Sequence, residues 1–205
     1  MSYDYNQTHE NILESAKKQF AEKGFRDASV RSICGEANVT NGAFYAHFES
    51  KEDLFASIVK PCLDGFNELC ASEEEATMNI KSSADILKAF KHAYSSWERA
   101  IRYVTEHKEE FLLLLDSSAG TEYEGYPKVL IDAEAENTLK FLKLSEKYIK
   151  NPQNVSENIA RLGASFMIMS MFNGLRKDLS AEEILAETAL VSEYCIAGYK
   201  HMLGI

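Results

Sequence analysis

Residues 26–55 restrict the fold of this chain most strongly, because signals for three helices follow one another there with little sequence between them. Ser29 is a hydroxyl N-cap residue that can accept a hydrogen bond from a free backbone N–H group, so a short helix is predicted to follow it. The apolar residues of that helix keep helical spacing along one face, at Val30, Ile33, Cys34 and Ala37. Asn38 marks a tight turn, since asparagine tolerates a left-handed backbone conformation.

A second short helix is predicted over 41–48, with Thr40 as its N-cap residue. Phe44 and Phe48 are four residues apart and therefore share one face, which we expect to point into a core. The other positions are predicted to lie nearer to solvent, namely Asn41, Gly42, Ala43, Tyr45 and His47. The helix thus presents small polar residues at its start and polar aromatic side chains beyond it.

Two short helices joined by a tight turn are typical of a helix-turn-helix DNA-binding motif. DNA phosphates are held by hydroxyls, amides, cations and helix N-termini, and bases are contacted by short side chains that enter a groove. Thr40, Tyr45 and His47 fit the phosphate role, and Asn41 fits the base role. Lys51 lies at the start of a third helix, beside a positive helix end where a phosphate could dock. Short amphipathic helices also occur in many all-α proteins that bind no DNA, so the pattern alone leaves both interpretations open.

A contiguous stretch in the first quarter of the chain resembles the N-terminal DNA-binding domain of the TetR family of bacterial transcriptional regulators. The resemblance lies in ANVTNGAFYAHF at 37–48, in SKEDLF at 50–55, and in a first helix with a Gly-aromatic exit at 12–25. It implies a homodimer that binds a palindromic operator in double-stranded DNA. It also implies that a small-molecule inducer enters the C-terminal domain and releases the operator.

The resemblance also implies roles for individual positions. Phosphate contacts would fall on Ser29, Tyr45, His47 and Lys51. Groove-facing recognition positions would be Thr40, Asn41, Gly42 and Ala43. The chain departs from the family pattern twice, since many members have lysine at the place of Asn41, and glycine is commoner at the place of Asn38. The missing cation should flatten the salt dependence of DNA binding, and Asn41 could instead pair with an adenine edge.

Charge is distributed unevenly along the chain, whose formal net charge is −10. Residues 1–51 contain six Lys and Arg against seven Asp and Glu, which leaves a net charge of −9 for the remainder. The asymmetry favours the N-terminal segment for nucleic-acid contact, but a segment with a net charge of −1 is not basic. Binding is therefore expected to depend on the local placement of a few side chains, with modest non-specific affinity.

Beyond Ser50 the sequence predicts one helix after another and no alternating strand pattern. Connections are expected at 72–83 and 117–126. The helices are expected over 51–70, capped by Ser50 and Asp53 and kinked at Pro61, and over 86–106, 108–116, 127–150, 154–177 and 180–203. The sequence thus predicts an all-α fold of about nine helices. Its domains would be a three-helix helix-turn-helix DNA-binding domain over 1–50 and a helical ligand-binding and dimerisation domain over 51–205.

The last two predicted helices, capped by Asn154 with Glu157 and by Ser180 with Glu183, mix small residues with large apolar ones. The first of them is apolar over much of its circumference, so it needs cover on more than one side. If two chains each contribute both helices, a symmetric four-helix bundle results. The dimer interface is predicted at Gly163, Phe166, Ser170, Ala189 and Ala197. The alternative is a helix buried entirely within its own chain.

Aromatic and methionine side chains indicate where a small molecule could bind. In a helical domain, a pocket between helices lined by such groups is the default ligand site. The predicted lining is Tyr94, Trp97, Phe111, Met167, Met171 and Phe172. Four acidic residues lie near these positions in the sequence, namely Glu98, Asp116, Glu122 and Glu124. An aromatic, partly cationic compound is therefore one candidate inducer.

The sequence contains none of the enzyme signatures that an all-α protein could carry. No Glu lies three residues before any of the five histidines, and there is no H-E-x-x-H, G-x-S-x-G, phosphate-binding glycine loop or spaced Cys/His set. We therefore predict no enzymatic activity, catalytic residue, metal or cofactor. The chain lacks an apolar signal segment and an apolar run of membrane-spanning length, which predicts a cytoplasmic protein without membrane contact. A different helical enzyme, or a helical adaptor that binds protein rather than DNA, is the alternative.

Overall fold

The computed structural model describes the backbone of residues 2–71 and 80–205, and the side chains in these ranges except those of residues 2–4, 71 and 94–96. The described residues form nine α-helices and no strand. The helices are α1 (Ser2–Asp27), α2 (Val30–Glu36), α3 (Asn41–Phe44), α4 (Lys51–Ala71), α5 (Ser83–Glu106), α6 (Lys108–Leu112), α7 (Tyr126–Leu144), α8 (Glu157–Arg176) and α9 (Ala181–Leu203). A π-helical turn at Leu113–Ser117 follows α6, and 3-10 turns occur at Glu146–Tyr148 and Pro152–Asn154. The predicted all-α fold is confirmed.

Helix α3 is shorter than predicted, because its last hydrogen bonds tighten after Phe44. The N–H of Ala46 donates to the carbonyl of Ala43 at 3.1 Å, and the N–H of His47 donates to the carbonyl of Phe44 at 2.9 Å. Both bonds span three residues rather than four, which is the tighter pattern common at helix ends. The predicted helix over 41–48 is therefore four α-helical residues followed by turns.

Other helix boundaries also differ from the prediction. Helix α7 ends at Leu144 rather than at 150. The N-cap of α8 is Ser156, whose side chain accepts a hydrogen bond from the N–H of Ile159, whereas the Asn154 amide donates to the carbonyl of Met202. Helix α4 is one α-helix with Pro61 inside it, close to the predicted bounds, and the kink at Pro61 stays a prediction. Of the predicted connection at 72–83, residues 72–79 lie outside the described part of the chain.

The described chain divides into two compact units. The first comprises Met1–Gly65 with His107–Tyr126, and the second comprises Phe66–Glu106 with Pro127–Ile205. The division falls within α4, whereas the predicted domain boundary lies between residues 50 and 51. A DNA-binding domain over 1–50 stays a prediction about function.

Aromatic rings form the centre of the first unit. Ile12, Ala16 and Phe20 recur every four residues along α1 and are fully buried. The ring of Phe55 on α4 meets the ring of Phe20 edge-on at 5.2 Å and that of Phe25 at 5.4 Å. Such edge-to-face pairs contribute about 0.5–1.5 kcal/mol each beyond the burial of their area. The first unit therefore has a core of its own.

The segment 107–126 packs into this first unit through ion pairs to α1. The ammonium of Lys17 lies 2.6 Å from a carboxylate oxygen of Glu110, and the guanidinium of Arg26 lies 3.3 Å from Glu124. Glu124 also accepts a hydrogen bond from the N–H of Gly120 at 2.8 Å. A segment about 90 residues away in the sequence thus belongs to the same unit as α1, which the local sequence pattern did not indicate.

In the second unit, α8 packs closely against α9. A Cβ atom added to Gly163 would lie 2.3 Å from the hydroxyl oxygen of Tyr199, and one added to Gly174 would lie 2.6 Å from Cγ1 of Ile184. The Tyr199 hydroxyl donates to the carbonyl of Ile159 at 3.2 Å, and its ring stacks on Phe90 at 4.9 Å. The predicted capping box of Ser180 at the start of α9 is confirmed.

Candidate nucleic-acid interface

Helix α2 is fixed at its start by Ser29 and along its length by the core. The Ser29 side chain accepts a hydrogen bond from the N–H of Ser32 at 3.1 Å, as the sequence predicts. Ile33 and Cys34 are buried, and the carbonyl of Ile33 accepts a hydrogen bond from the buried Ser15 hydroxyl of α1 at 2.9 Å. The Ser29 hydroxyl oxygen is thus engaged in the N-cap, although the residue itself is exposed to solvent.

The turn between α2 and α3 depends on Asn38, whose φ angle is +56°. This left-handed conformation lets the next N–H, that of Val39, reach back to the carbonyl of Cys34 at 2.9 Å. The turn predicted at Asn38 is confirmed. It ends α2 abruptly and redirects the chain into the cap of α3.

Helix α3 is held by one cap and one buried ring. The Thr40 side chain accepts a hydrogen bond from the N–H of Ala43 at 3.1 Å, so the predicted N-cap is confirmed. Phe44 is fully buried, and its ring lies 5.8 Å from that of Phe48. With this face anchored, Asn41 is exposed at the start of the helix.

One exposed position of α3, Gly42, and the exposed C-cap residue Tyr45 are available to a partner at little cost to the fold. A Cβ added to Gly42 would meet only the Thr40 hydroxyl oxygen, at 3.8 Å, so nothing in the protein requires glycine there. Tyr45 is 60% exposed and rests edge-on against Phe44 at 5.2 Å, which fixes its ring while its hydroxyl stays accessible. Ala43, between them, is half-buried.

His47 is half-buried rather than fully exposed, because α1 covers one side of its ring. The Tyr5 ring lies 4.0 Å and the His9 ring 5.4 Å from it. Its Nδ1 atom is buried without a hydrogen-bond partner. Burial, and secondly the charge of His9, lower the pKa of His47 below its ordinary value.

Lys51 is occupied by carbonyl groups at the end of α1. Its ammonium donates to the carbonyl oxygens of Phe25 at 2.6 Å and Ala28 at 2.8 Å, with that of Arg26 at 3.4 Å. It also lies 4.3 Å from the centre of the Phe25 ring. Gly24, with a φ angle of +76°, interrupts the helical conformation just before these carbonyls. Lys51 therefore neutralises the negative end of a helix, a structural role that sequence reasoning missed.

Three cations of the first unit, Lys17, Lys18 and Arg26, are paired with acids. Lys17 pairs with Glu109 and Glu110, and Lys18 pairs with Glu36, whose carboxyl pKa is lowered by Lys18 and Gln19. Arg31 is different, because it is exposed on α2 and makes no ion pair with any residue that the structure describes. The sequence signal that could have identified Arg31 as a candidate contact is its outward-facing position, two residues after the N-cap residue Ser29.

The six residues predicted to line a ligand pocket do not fall in one unit. Phe111 is fully buried in the first unit, whereas Trp97 is half-buried on α5 in the second. The α8 residues Met167, Met171 and Phe172 are all buried in the second unit. The side chain of Tyr94 lies outside the described part of the structure.

Two of the four acidic residues that suggested a cationic ligand are engaged in ion pairs. Glu98 lies 2.9 Å from the guanidinium of Arg102, which also bonds Glu182 of α9 at 2.8 Å. Glu124 is paired with Arg26. Within the described ranges, no group of three or more His, Cys, Asp or Glu residues could hold a metal ion, and no helix is long and apolar enough to span a membrane.

A continuous apolar surface covers neighbouring parts of α8 and α9. Phe166 is 44% exposed and its ring meets that of Tyr194 edge-on at 5.8 Å, and Tyr194 and Leu190 are each 69% exposed. Leu162 and Met169 extend this surface along α8. Of the residues predicted for a dimer interface, Phe166, Ala189 and Ala197 are exposed and Ser170 is half-buried. Gly163 instead accommodates Tyr199 of its own chain, so its small size serves the packing of α8 on α9.

A short exposed helix, presented by a capped left-handed turn on an aromatic core, defines the helix-turn-helix class of nucleic-acid-binding domains. Residues 12–58 match the family model described as "Bacterial regulatory proteins, tetR family". This match, and the regulators to which the chain is similar, confirm the resemblance of the N-terminal segment to the TetR family of bacterial transcriptional regulators.

Similar proteins agree with this assignment. The chain is 27% identical over 190 residues to the uncharacterized HTH-type transcriptional regulator YerO of Bacillus subtilis, covering 88% of this chain and 62% of YerO. It is 29% identical over 120 residues to the HTH-type transcriptional repressor KstR2 of Rhodococcus jostii, covering 55% of this chain and 57% of KstR2. The match therefore spans less than two thirds of either relative. Among solved structures, the chain is similar to a TetR-like transcriptional regulator from Rhodococcus sp. RHA1, with a TM-score of 0.64 and 18% sequence identity. The match covers 93% of this chain and 96% of that chain, and it shows the fold.

Proposed function

We propose that this protein is a transcriptional repressor that binds a palindromic operator as a homodimer and releases it when a small molecule binds. The observation that carries the proposal is the exposed surface of Asn41 and Gly42 on α3 and of its C-cap residue Tyr45, on a helix fixed by an N-cap and a buried ring. This arrangement supports insertion into a major groove, because the anchored helix need not reorganise on binding. The name of KstR2, a repressor, supports repression rather than activation.

The proposed contacts divide into two kinds. Asn41 and Gly42 lie where base edges would be reached, and an asparagine amide can bond an adenine in two places. Ser29, Thr40, Tyr45 and His47 offer hydroxyl and imidazole donors for phosphates, and we add Arg31 as an unpaired cation on α2. Lys51 is the weakest of the proposed phosphate ligands, because its donors already bond backbone carbonyls.

Arg31 is the one cation proposed as a phosphate contact besides the engaged Lys51, so we expect a shallow salt dependence of DNA binding. Each phosphate that is neutralised lowers the logarithm of the binding constant by about 0.9 per logarithmic unit of salt. Replacing Arg31 by Ala should therefore reduce this slope by about one and weaken binding to all sequences alike. The matched control is Arg176→Ala at the end of α8, which should leave the slope unchanged.

Dimerisation is proposed through the apolar surface of Leu162, Phe166, Met169, Leu190 and Tyr194. Large exposed apolar patches mark interaction sites, and this one is formed by two adjacent helices, as a symmetric four-helix bundle requires. Leu190→Asp should convert the dimer to a monomer in sedimentation equilibrium. Leu144→Asp is the matched control, since Leu144 is equally apolar and more exposed but lies on α7. Equal effects of the two variants would contradict the proposed interface.

The ligand is proposed to be apolar or aromatic rather than cationic, because Glu98 and Glu124 are already neutralised by arginines. Met167 and Met171 provide adaptable walls on the buried side of α8. Trp97 is the single tryptophan of the chain and reports binding by its fluorescence. Decanoate should quench it more strongly than tetraphenylphosphonium and should lower DNA affinity, and the reverse order would contradict the proposed ligand class.

Selection from a randomised duplex library of about 30 base pairs, long enough for two half-sites one to two turns apart, tests the central proposal. The purified full chain should enrich a two-fold symmetric sequence. Asn41→Ala should change the preferred base at one position in each half-site. Asn67→Ala, at an exposed position of α4, is the control and should enrich the wild-type sequence. Failure of the wild-type protein to enrich any sequence would overturn the proposal.

A further inference from the structure

Two aromatic residues of α1, outside the helix-turn-helix segment, enclose the imidazole of His47. The Tyr5 ring centre lies 4.0 Å from that of His47, and the Tyr5 hydroxyl lies 3.4 Å from the carbonyl of Ala46. His9 lies 5.4 Å from His47 and stacks on Phe48 at 4.8 Å. His47 therefore packs in a cradle that α1 supplies from about 40 residues away.

The burial of one ring nitrogen determines which nitrogen carries the proton. Nδ1 is buried without a hydrogen-bond partner, whereas Nε2 is not among the buried polar atoms that lack one. A buried N–H group without an acceptor costs more than a buried lone pair, because donors in protein interiors are almost always paired. The neutral tautomer with its proton on Nε2 is therefore favoured, and this N–H is directed away from the buried side of the ring.

The exposed parts of the cradle lie beside the proposed DNA-binding face. Tyr5 is 52% exposed although its ring contacts His47, so packing alone does not explain an aromatic residue at this place. Among the described residues, His9 is the titratable group whose charge acts on His47, and Tyr5 is the one whose ring lies nearest. Both come from α1.

We propose that Tyr5 and His9 are positioning residues that turn Nδ1 of His47 inward and direct its Nε2–H toward a DNA phosphate. This inference rests on the proposed function. Neither residue lies in the segment 26–55 from which the DNA contacts were predicted, and His47 would be misdirected without them. The cradle makes the amino-terminal turns of α1 part of the DNA-binding machinery through His47.

Nuclear magnetic resonance of the imidazole nitrogens tests the positioning without DNA. In the wild-type protein, His47 should be the Nε2–H tautomer with a lowered pKa. Tyr5→Ala should raise the His47 pKa toward its ordinary value and mix the tautomers, while Tyr5→Phe, which keeps the ring, should resemble the wild type. An unchanged His47 spectrum in Tyr5→Ala would overturn the proposal.

A double-mutant cycle with the duplex recovered by library selection tests the use of that positioning. Tyr5→Ala should weaken binding by about fivefold, which is the contribution of one ordinary hydrogen bond. It should have no further effect when His47 is already Ala. Equal losses in both backgrounds would mean that Tyr5 acts on DNA independently and would overturn the proposal. If the wild-type protein bound no DNA, the proposed function would fail, while the resonance experiment would still decide whether α1 positions His47.

Discussion

The segment from α2 to α3 and the pair of α8 with α9 are stabilised in different ways. In the first, short helices are fixed by caps within their own sequence, at Ser29 and Thr40, and by one buried ring, Phe44. In the second, long helices are fixed by close approach, with Gly163 and Gly174 facing large side chains of α9. The comparison teaches that a few local anchors can fix the position of a short exposed helix, whereas a long helix pair depends on contacts between residues distant in the sequence.

The largest expected effect is in the first region. Phe44→Ala removes the fully buried ring of α3 and should lower the free energy of unfolding by about 3–5 kcal/mol. Tyr45→Ala, next to it and exposed, should change stability by less than about 0.5 kcal/mol but should weaken DNA binding. Urea unfolding of both variants measures the contrast. Similar losses would mean that α3 is not anchored by a single residue.

The second region should respond to overpacking. Gly174→Val places a branched side chain against Ile184 and should cost about 1–3 kcal/mol of unfolding free energy. The control is Gly198→Ala on α9, whose added Cβ meets only Met202 at 3.9 Å and which should stabilise by up to about 1 kcal/mol. Both are measured by urea unfolding. A stable Gly174→Val protein would show that α8 and α9 can separate without loss.

Lys51 distinguishes a structural anchor from a DNA contact. Lys51→Met removes the ammonium from the carbonyls of Phe25 and Ala28 and should lower the free energy of unfolding by about 1.5–2 kcal/mol, in the lower part of the range for hydrogen bonds of charged groups because Lys51 is only half-buried. Lys60→Met, at an exposed position of α4, should have little effect on stability. Thermal unfolding at fixed pH provides the measurement. If Lys51→Met weakened DNA binding but left stability unchanged, Lys51 would be a phosphate contact and not a structural anchor.

The smallest expected effect is a dependence on pH. The His47 pKa is lowered in the folded protein, so the unfolded chain takes up this proton at higher pH. The contribution of His47 to the free energy of unfolding is therefore complete above the ordinary histidine pKa of about 6.5. It is lost as the pH falls through the lowered pKa of the folded protein. His47→Gln should remove that part of the loss. Unfolding of both proteins at pH 8 and pH 5 tests the prediction, and identical pH profiles would refute it.

Local sequence signals predicted the first region residue by residue. The caps at Ser29 and Thr40 and the left-handed turn at Asn38 each depend on atoms within five positions, so the sequence pattern contains them. The same holds for the capping box at Ser180. The length of α3 was less predictable, because a continuous helix and a helix with a tightened end have the same apolar spacing.

Contacts between distant parts of the sequence could not be predicted in this way. Nothing near Lys51 in the sequence indicates that the carbonyls of Phe25 and Ala28 converge on it. Tyr199 lies 36 positions after Gly163, so a small residue there fitted a dimer interface equally well. The site residues of α3 were therefore predictable as exposed, while the roles of Lys51, Gly163 and Tyr5 required the fold.

The open space around Gly42 bears on how such a regulator could acquire a new target. A Cβ atom can be added at this position without a clash, because the nearest atom that it meets is the Thr40 hydroxyl oxygen at 3.8 Å. In the proposed complex, where Gly42 faces a base edge, substitutions at this position would then act on DNA preference more than on folding. A panel of substitutions at Gly42 is thus a natural starting library for redirecting the protein to other promoters.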